Sequence, residues 1–184
     1  MKMKKVLLLG DSIRIGYQPL VRAALEGKAE VVGPEENGRF AKHTLWGANL
    51  WIRDLGTPDI IHWNNGLWDL HHEAPMVEAL TSLDEYIVTL GRILNELRRT
   101  GAAVIFATTT PVPVDAVGRS NAEIDAYNAA AAKLMKQHGV EINDLNAVVK
   151  RDLQNFICED KLHLSEAGNR ACADRVIEAV RKYI

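Results

Sequence analysis

Cysteine is scarce in this sequence. Cys158 and Cys172 are the only two, they form no CxxC pair, and so neither a disulfide framework nor a zinc knuckle is available. Basic runs are just as short: none exceeds Lys4-Lys5, and 22 Lys plus Arg stand against 24 Asp plus Glu for a net charge of −2. That balance leaves no electrostatic footprint for nucleic acid or an anionic membrane surface. Long apolar runs are missing as well. Near the start, Val6 to Leu9 falls far below membrane-spanning length, and a signal peptide needs a longer apolar region with a cleavage site. The expected location is the cytoplasm, a leader already removed being the alternative. The segment Gly10-Asp11-Ser12-Ile13-Arg14-Ile15-Gly16 lacks the GxGxxG spacing that admits a pyrophosphate, and no Walker sequence occurs. His71-His72-Glu73 is not HExxH, and adjacent histidines on a regular element chelate one ion poorly, so no metal is expected.

What is present suits one globular domain, expected to span residues 1–184. The chain has 184 residues, 47% of them hydrophobic and 25% charged. Lys4-Lys5 leads into the continuous apolar run Val6-Leu7-Leu8-Leu9, the pattern of a strand buried on both faces. Similar short runs recur at Ala29 to Gly33, Asp59 to Trp63, Ala102 to Ala107 and Val140 to Ile142. Between them, helical periodicity marks Gln18 to Leu25, Thr44 to Trp51, Met76 to Arg99, Asn121 to His138 and Glu166 to Tyr183. In the third of these, Leu80, Leu83, Ile87, Leu90, Leu94 and Leu97 line one face. Alternating strands and helices imply a parallel sheet covered on both sides, a three-layer α/β/α fold. Ligands of such sheets bind outside the carboxyl ends of the strands, which makes each segment following a strand a candidate wall of the site.

Three of those segments carry chemistry. Gly10-Asp11-Ser12-Ile13 follows the first strand and opens a helix, where a serine hydroxyl is exposed beside outward amide donors. Ser12 there is a candidate nucleophile, although Asp11 or Ser12 could equally be a helix cap. Asp160-Lys161-Leu162-His163 precedes Leu164-Ser165-Glu166, with Ser165 the expected N-cap of the last helix. The three-residue step lets Asp160 hold one imidazole nitrogen of His163 and leaves the other free to take a proton; taken alone, DxxH also describes an exposed loop. His62-Trp63-Asn64-Asn65-Gly66-Leu67-Trp68-Asp69 ends the third strand and offers side-chain amides for an oxyanion, or merely a good turn.

Together these pieces are far more specific. GDS after the first strand, Asn-Gly after the third and DxxH before the last helix resemble the SGNH hydrolases, the GDSL-type esterase and lipase family. The likeness runs from Lys4 to the final helix and is supported by Asn121 to Asn128 and the Thr-rich turn ending in Pro111. It implies a flavodoxin-like five-stranded sheet of order 2-1-3-4-5, with Ser12 as nucleophile, His163 as general base and Asp160 orienting the base. The resemblance also implies an oxyanion hole built from the serine N–H, a glycine N–H after the second strand and an asparagine side chain after the third. This chain departs from the last two. Gly38 is the only glycine between Glu36 and Thr44, and it comes early, so Ala41 or Lys42 is expected to present the N–H. Trp68 stands where the family's Gly-x-Asn-Asp has asparagine, so the amide is expected from Asn65, with Asn64 as the alternative.

Substrate contacts are expected from Asp11, Asn64, Trp63, Trp68 and Arg14. The expected activity is hydrolysis of a small-molecule ester through an acyl-enzyme, on a short acyl group such as acetyl carried by a carbohydrate or small alcohol, with no cofactor. The alternatives are a lysophospholipase- or thioesterase-like hydrolase of longer chains, and a non-catalytic binding module that kept the fold.

Overall fold

The apolar run after Lys4-Lys5 forms the strand β1 (Lys4–Leu9), in which Val6, Leu7, Leu8 and Leu9 have no exposed surface. A strand buried on both faces needs a neighbour on each edge and a helix layer on each side. The computed structural model, which describes residues 3–184, supplies all four. The strands β1, β2 (Ala29–Val32), β3 (Ile60–Trp63), β4 (Ala103–Ala107) and β5 (Glu141–Asn143) form one sheet in the order β2-β1-β3-β4-β5. Every pairing is parallel, with Leu9 opposite Trp63 and Trp63 opposite Phe106. All five carboxyl ends therefore lie along one edge.

The helices are α1 (Ser12–Ala24), α2 (Ala41–Leu55), α3 (Leu83–Arg98), α4 (Asn121–Gln137), α5 (Leu145–Lys150), α6 (Leu153–Phe156) and α7 (Glu166–Arg181). α1 packs on α7, which also holds α5 and α6, whereas α2 packs on α3 and α3 on α4, giving the two outer layers. Each crossover carries the chain back so that the next strand also ends at the carboxyl edge.

Several boundaries differ from the sequence expectation, each for a local reason. α1 begins at Ser12, not Gln18, because the Asp11 side chain accepts the Ile13 N–H and nucleates the helix a turn and a half earlier. α3 begins at Leu83, not Met76, where Ser82 caps Glu85 and Asp84 and Glu85 fill the first turn. Leu80 consequently lies outside the helix and is 46% exposed. The short α5 and α6 carry too few residues for a helical period to show in the sequence.

Candidate active site

Ser12 is the first residue of α1, directly after the end of β1. Its approach depends on Gly10, which has φ +157° and stands so close to Asn64 that a Cβ there would lie 1.9 Å from Asn64 Oδ1. Only glycine permits that packing. Asn64 is held at the same place from below, its N–H donating to the Leu9 carbonyl at 3.1 Å.

His163 arrives from the opposite end of the chain. Residues 157–164 fold back through an antiparallel bridge between Ile157 and Leu164, closed by Cys158 N–H donating to His163 O at 2.8 Å. Lys161, at φ 62°, turns the tip, and Asp160 Oδ1 accepts the N–H groups of Leu162 at 3.0 Å and His163 at 2.9 Å. Ser165 caps α7 through the Gly168 N–H, as its place ahead of the apolar helix led one to expect.

This loop sets three side chains in line. His163 Nδ1 lies 2.6 Å from Asp160 Oδ2, and His163 Nε2 lies 3.0 Å from Ser12 Oγ, although the residues are far apart in the chain. The hydrogen bond from His163, with further N–H donors, holds the Asp160 carboxyl down at about 2, so it is ionised at any neutral pH. An ionised Asp160 must accept the Nδ1–H, which leaves Nε2 as acceptor for the serine hydroxyl.

The connection between β2 and α2 closes on the site. Gly38 N–H donates to Gly10 O at 3.0 Å, and Arg39 N–H to Asn37 Oδ1 at 2.8 Å. The buried Asp69 carboxylate accepts the Ala41 N–H with both oxygens, at 2.9 and 3.1 Å. The next N–H, that of Lys42, has no partner among the described residues, while the Lys42 side chain turns outward to Glu85. Ala41 is thus corrected as an oxyanion donor, because its N–H is spent on Asp69.

Asn65 is corrected as well. It is wholly buried, its Oδ1 accepts the Trp63 Nε1–H at 2.7 Å, and its Nδ2 donates to Arg39 O and Thr44 Oγ1, both at 3.0 Å. No N–H remains for a ligand. Asn64, by contrast, stands beside the Asp11 carboxylate with its Oδ1 unpaired.

Three of the expected substrate contacts belong to the framework instead. Asp11 is fully buried and caps α1; burial raises its carboxyl above the ordinary range, against the pull of the Ile13 N–H, Arg14 and Asn64. Arg14 is buried because its guanidinium binds the carbonyls of Pro34 and Glu36 at 2.8 Å each and Gln18 Oε1 at 2.9 Å, tying α1 to the loop after β2. Trp63 is buried edge-on against Phe106. Trp68 is half-buried in the connection after β3.

Two residues of this edge were not among those expected at the site: Asp69 closes the Gly66-Leu67-Trp68-Asp69 segment that resembles the family's Gly-x-Asn-Asp, and Arg119 carries no motif. Asp69 anchors the start of α2, and burial pushes its carboxyl up to about 7. Arg119, in the loop after β4, donates from Nε to the Leu67 carbonyl at 2.8 Å. That loop is itself pinned where Asn128 exchanges hydrogen bonds with Thr109 N and O, at 2.8 and 2.9 Å.

Among the described residues, no group of His, Cys, Asp and Glu side chains is arranged to hold a metal ion. No helix among them is long and apolar enough to cross a membrane.

The model of the GDSL-like lipase/acylhydrolase family matches residues 8–171. No curated protein sequence matches the chain. Among solved structures the chain is similar to an acetyl xylan esterase, AlAXEase, at 22% identity and TM-score 0.81, covering 96% of this chain and 99% of that one. It is similar to a lipase/acylhydrolase from Enterococcus faecalis at 18% identity and TM-score 0.85, covering 98% and 96%. A carbohydrate esterase family 3 protein from Talaromyces cellulolyticus matches at 20% identity and TM-score 0.76, covering 98% and 97%. All three share the fold.

Proposed function

Because the chain belongs to the GDSL-like lipase/acylhydrolase family, whose members act on ester bonds, we propose that it is a serine esterase with Ser12 as nucleophile, His163 as general base and Asp160 as the group orienting that base. The observation that carries this reading is the line from Ser12 Oγ to His163 Nε2 at 3.0 Å and from His163 Nδ1 to Asp160 at 2.6 Å.

As the Ser12 oxygen bonds to the ester carbonyl carbon, its proton passes to His163 Nε2 and the carbonyl becomes an oxyanion. Asp160 stabilises the imidazolium without taking its proton. Collapse breaks the bond to the alcohol, which leaves with the proton from His163. Water then attacks the acyl-Ser12, gives its proton to the same nitrogen and releases the acid, while Ser12 recovers its proton.

The oxyanion is held by the Ser12 N–H, the Lys42 N–H and the Asn64 side chain, in place of the expected Asn65 and Ala41. What supports Lys42 is its free N–H at the second position of α2; what supports Asn64 is its place against Gly10, together with the full engagement of Asn65.

The substrate is read as a short acyl ester, acetyl first, of a carbohydrate or small alcohol. Two proteins of the same fold, an acetyl xylan esterase and a carbohydrate esterase, support it. The test is turnover of nitrophenyl esters of increasing acyl length beside Ser12→Ala. Rates that fall with chain length and vanish in the variant are expected; turnover that survives in Ser12→Ala overturns the assignment of the nucleophile.

A further inference from the structure

We propose that a small cavity beside the His163 loop receives a carboxylate carried on the alcohol part of the ester, and that Arg119 is its receptor; this rests on the serine esterase reading above. The cavity holds about 160 Å³ and is lined by Asp115, Ala116, Val117 and Arg119 from the loop after β4 and by Asp160, Lys161 and Leu162 from the loop that carries His163.

The charges around it do not all find partners. Lys161 Nζ is paired with Asp115 at 2.5 Å, and Asp160 with His163 at 2.6 Å. Arg119 is the exception. Its Nε is used on the Leu67 carbonyl, but its two terminal nitrogens make no hydrogen bond or ion pair among the described residues. The acids that act on it, Asp11 and Glu73, do so from beyond contact distance. A half-buried guanidinium has lost part of its hydration without gaining a carboxylate, a cost that a ligand anion removes. The terminal edge of the guanidinium, left open by the Nε contact, matches a carboxylate with two parallel N–H donors.

Chemistry decides which half of the ester reaches the cavity. His163 Nε2 protonates the departing oxygen, so the alcohol must leave on the His163 side, and the loop bearing His163 is the one that forms this wall. The volume, about five times the ~30 Å³ share of a liquid water molecule, admits a compact acidic substituent and excludes a long chain. Ala116, Val117 and Leu162 supply the apolar part of its walls, and the cavity stays open to water on the side of Val117, which is 70% exposed.

The test compares hydrolysis of the acetyl ester in meta-acetoxybenzoate and in meta-acetoxybenzamide, where a neutral group of similar size replaces the carboxylate, in the wild type, Arg119→Gln and Arg119→Lys. The wild type is expected to favour the carboxylate about tenfold in kcat/KM, mostly through KM, as one charge-assisted contact partly open to water allows. In Arg119→Gln that ratio falls to one or below, and Arg119→Lys keeps part of it. A wild-type ratio of one or less, or a ratio unchanged in Arg119→Gln, overturns the proposal. Failure of both esters to turn over counts against the serine esterase reading and is told apart by calorimetry on Ser12→Ala. There, meta-hydroxybenzoate binding that exceeds that of meta-hydroxybenzamide and is lost on adding Arg119→Gln supports the receptor, and equal or absent binding overturns it.

Discussion

Both oxygens of the buried Asp69 carboxylate meet the N–H of Ala41, the residue immediately before Lys42. One acid thereby sets the first turn of α2 and, with it, the direction of the next amide. A negative group at a helix N-terminus is also favoured by the helix dipole. Replacing Asp69 by Asn puts an N–H donor where one of the two acceptors stood, facing the Ala41 N–H. The expected result is a fall in kcat of about 10- to 100-fold with KM nearly unchanged, since a displaced oxyanion donor weakens the transition state more than the ground state. Ester kinetics on a folded Asp69→Asn protein check this, and a change confined to KM would sink it.

Asn64 and Asn65 are neighbours with opposite expected phenotypes. Asn64→Ala removes a proposed oxyanion donor and is expected to cost about 10²- to 10³-fold in kcat with a modest effect on melting. Asn65→Ala removes the acceptor of Trp63 and the donors to Arg39 and Thr44 at a wholly buried position, so about 2–5 kcal/mol of stability is expected to go with it. Parallel kinetics and denaturation on both variants decide the assignment. A kcat loss in a stably folded Asn65→Ala larger than that in Asn64→Ala would return the role to Asn65.

Which of the two amides is tied to the loop after β2 was not legible in the sequence, whereas much of the frame was. The five strands follow from short apolar runs separated by helical periods, while the sheet order and the joint role of Ser12, Asp160 and His163 are what the resemblance to the SGNH hydrolases implies. At the end of β3, however, adjacent residues face opposite ways, both amides are buried, and a shift of one exchanges the amide that holds the loop after β2 for the one beside Gly10 and Asp11. Arg14 misled for a related reason. A cation two residues after the nucleophile reads as a substrate contact until the loop after β2 is seen to offer it the Pro34 and Glu36 carbonyls. Asp69 and Arg119 act through contacts distant in sequence, on Ala41 and on Leu67, which no local pattern announces.

Asp160 is half-exposed, so its value lies in aiming the imidazole and not in burying a charge. Asp160→Asn offers an amide N–H or its oxygen to Nδ1 and no longer enforces the tautomer with Nε2 free. A loss of about 10²- to 10⁴-fold in kcat is expected, with a fold as stable as the parent's. A variant retaining more than about a tenth of the wild-type kcat would show that the loop backbone alone orients His163.

His62, in the middle of the sheet, predicts an acid sensitivity unrelated to catalysis. Its Nε2 accepts from Asn143 Nδ2 at 2.9 Å and its Nδ1 faces the Tyr17 hydroxyl at 3.5 Å; burial lowers it from 6.5 to about 3. The unfolded chain takes up this proton below 6.5 and the folded chain does not until about 3, so His62 lowers stability as the pH falls through that window. The full span corresponds to on the order of 5 kcal/mol. Asp69 acts in the opposite sense. Raised from 3.8 to about 7, it favours the folded protein below 3.8 and loses that contribution as the pH rises through 7. Between about pH 4.5 and 6 the two slopes oppose each other at about 1.4 kcal/mol per pH unit each. Urea denaturation across that range should therefore show stability rising more steeply with pH in Asp69→Asn than in the wild type, and less steeply in His62→Gln. Identical slopes in all three proteins would mean that neither side chain holds its proton state through unfolding as the burial requires.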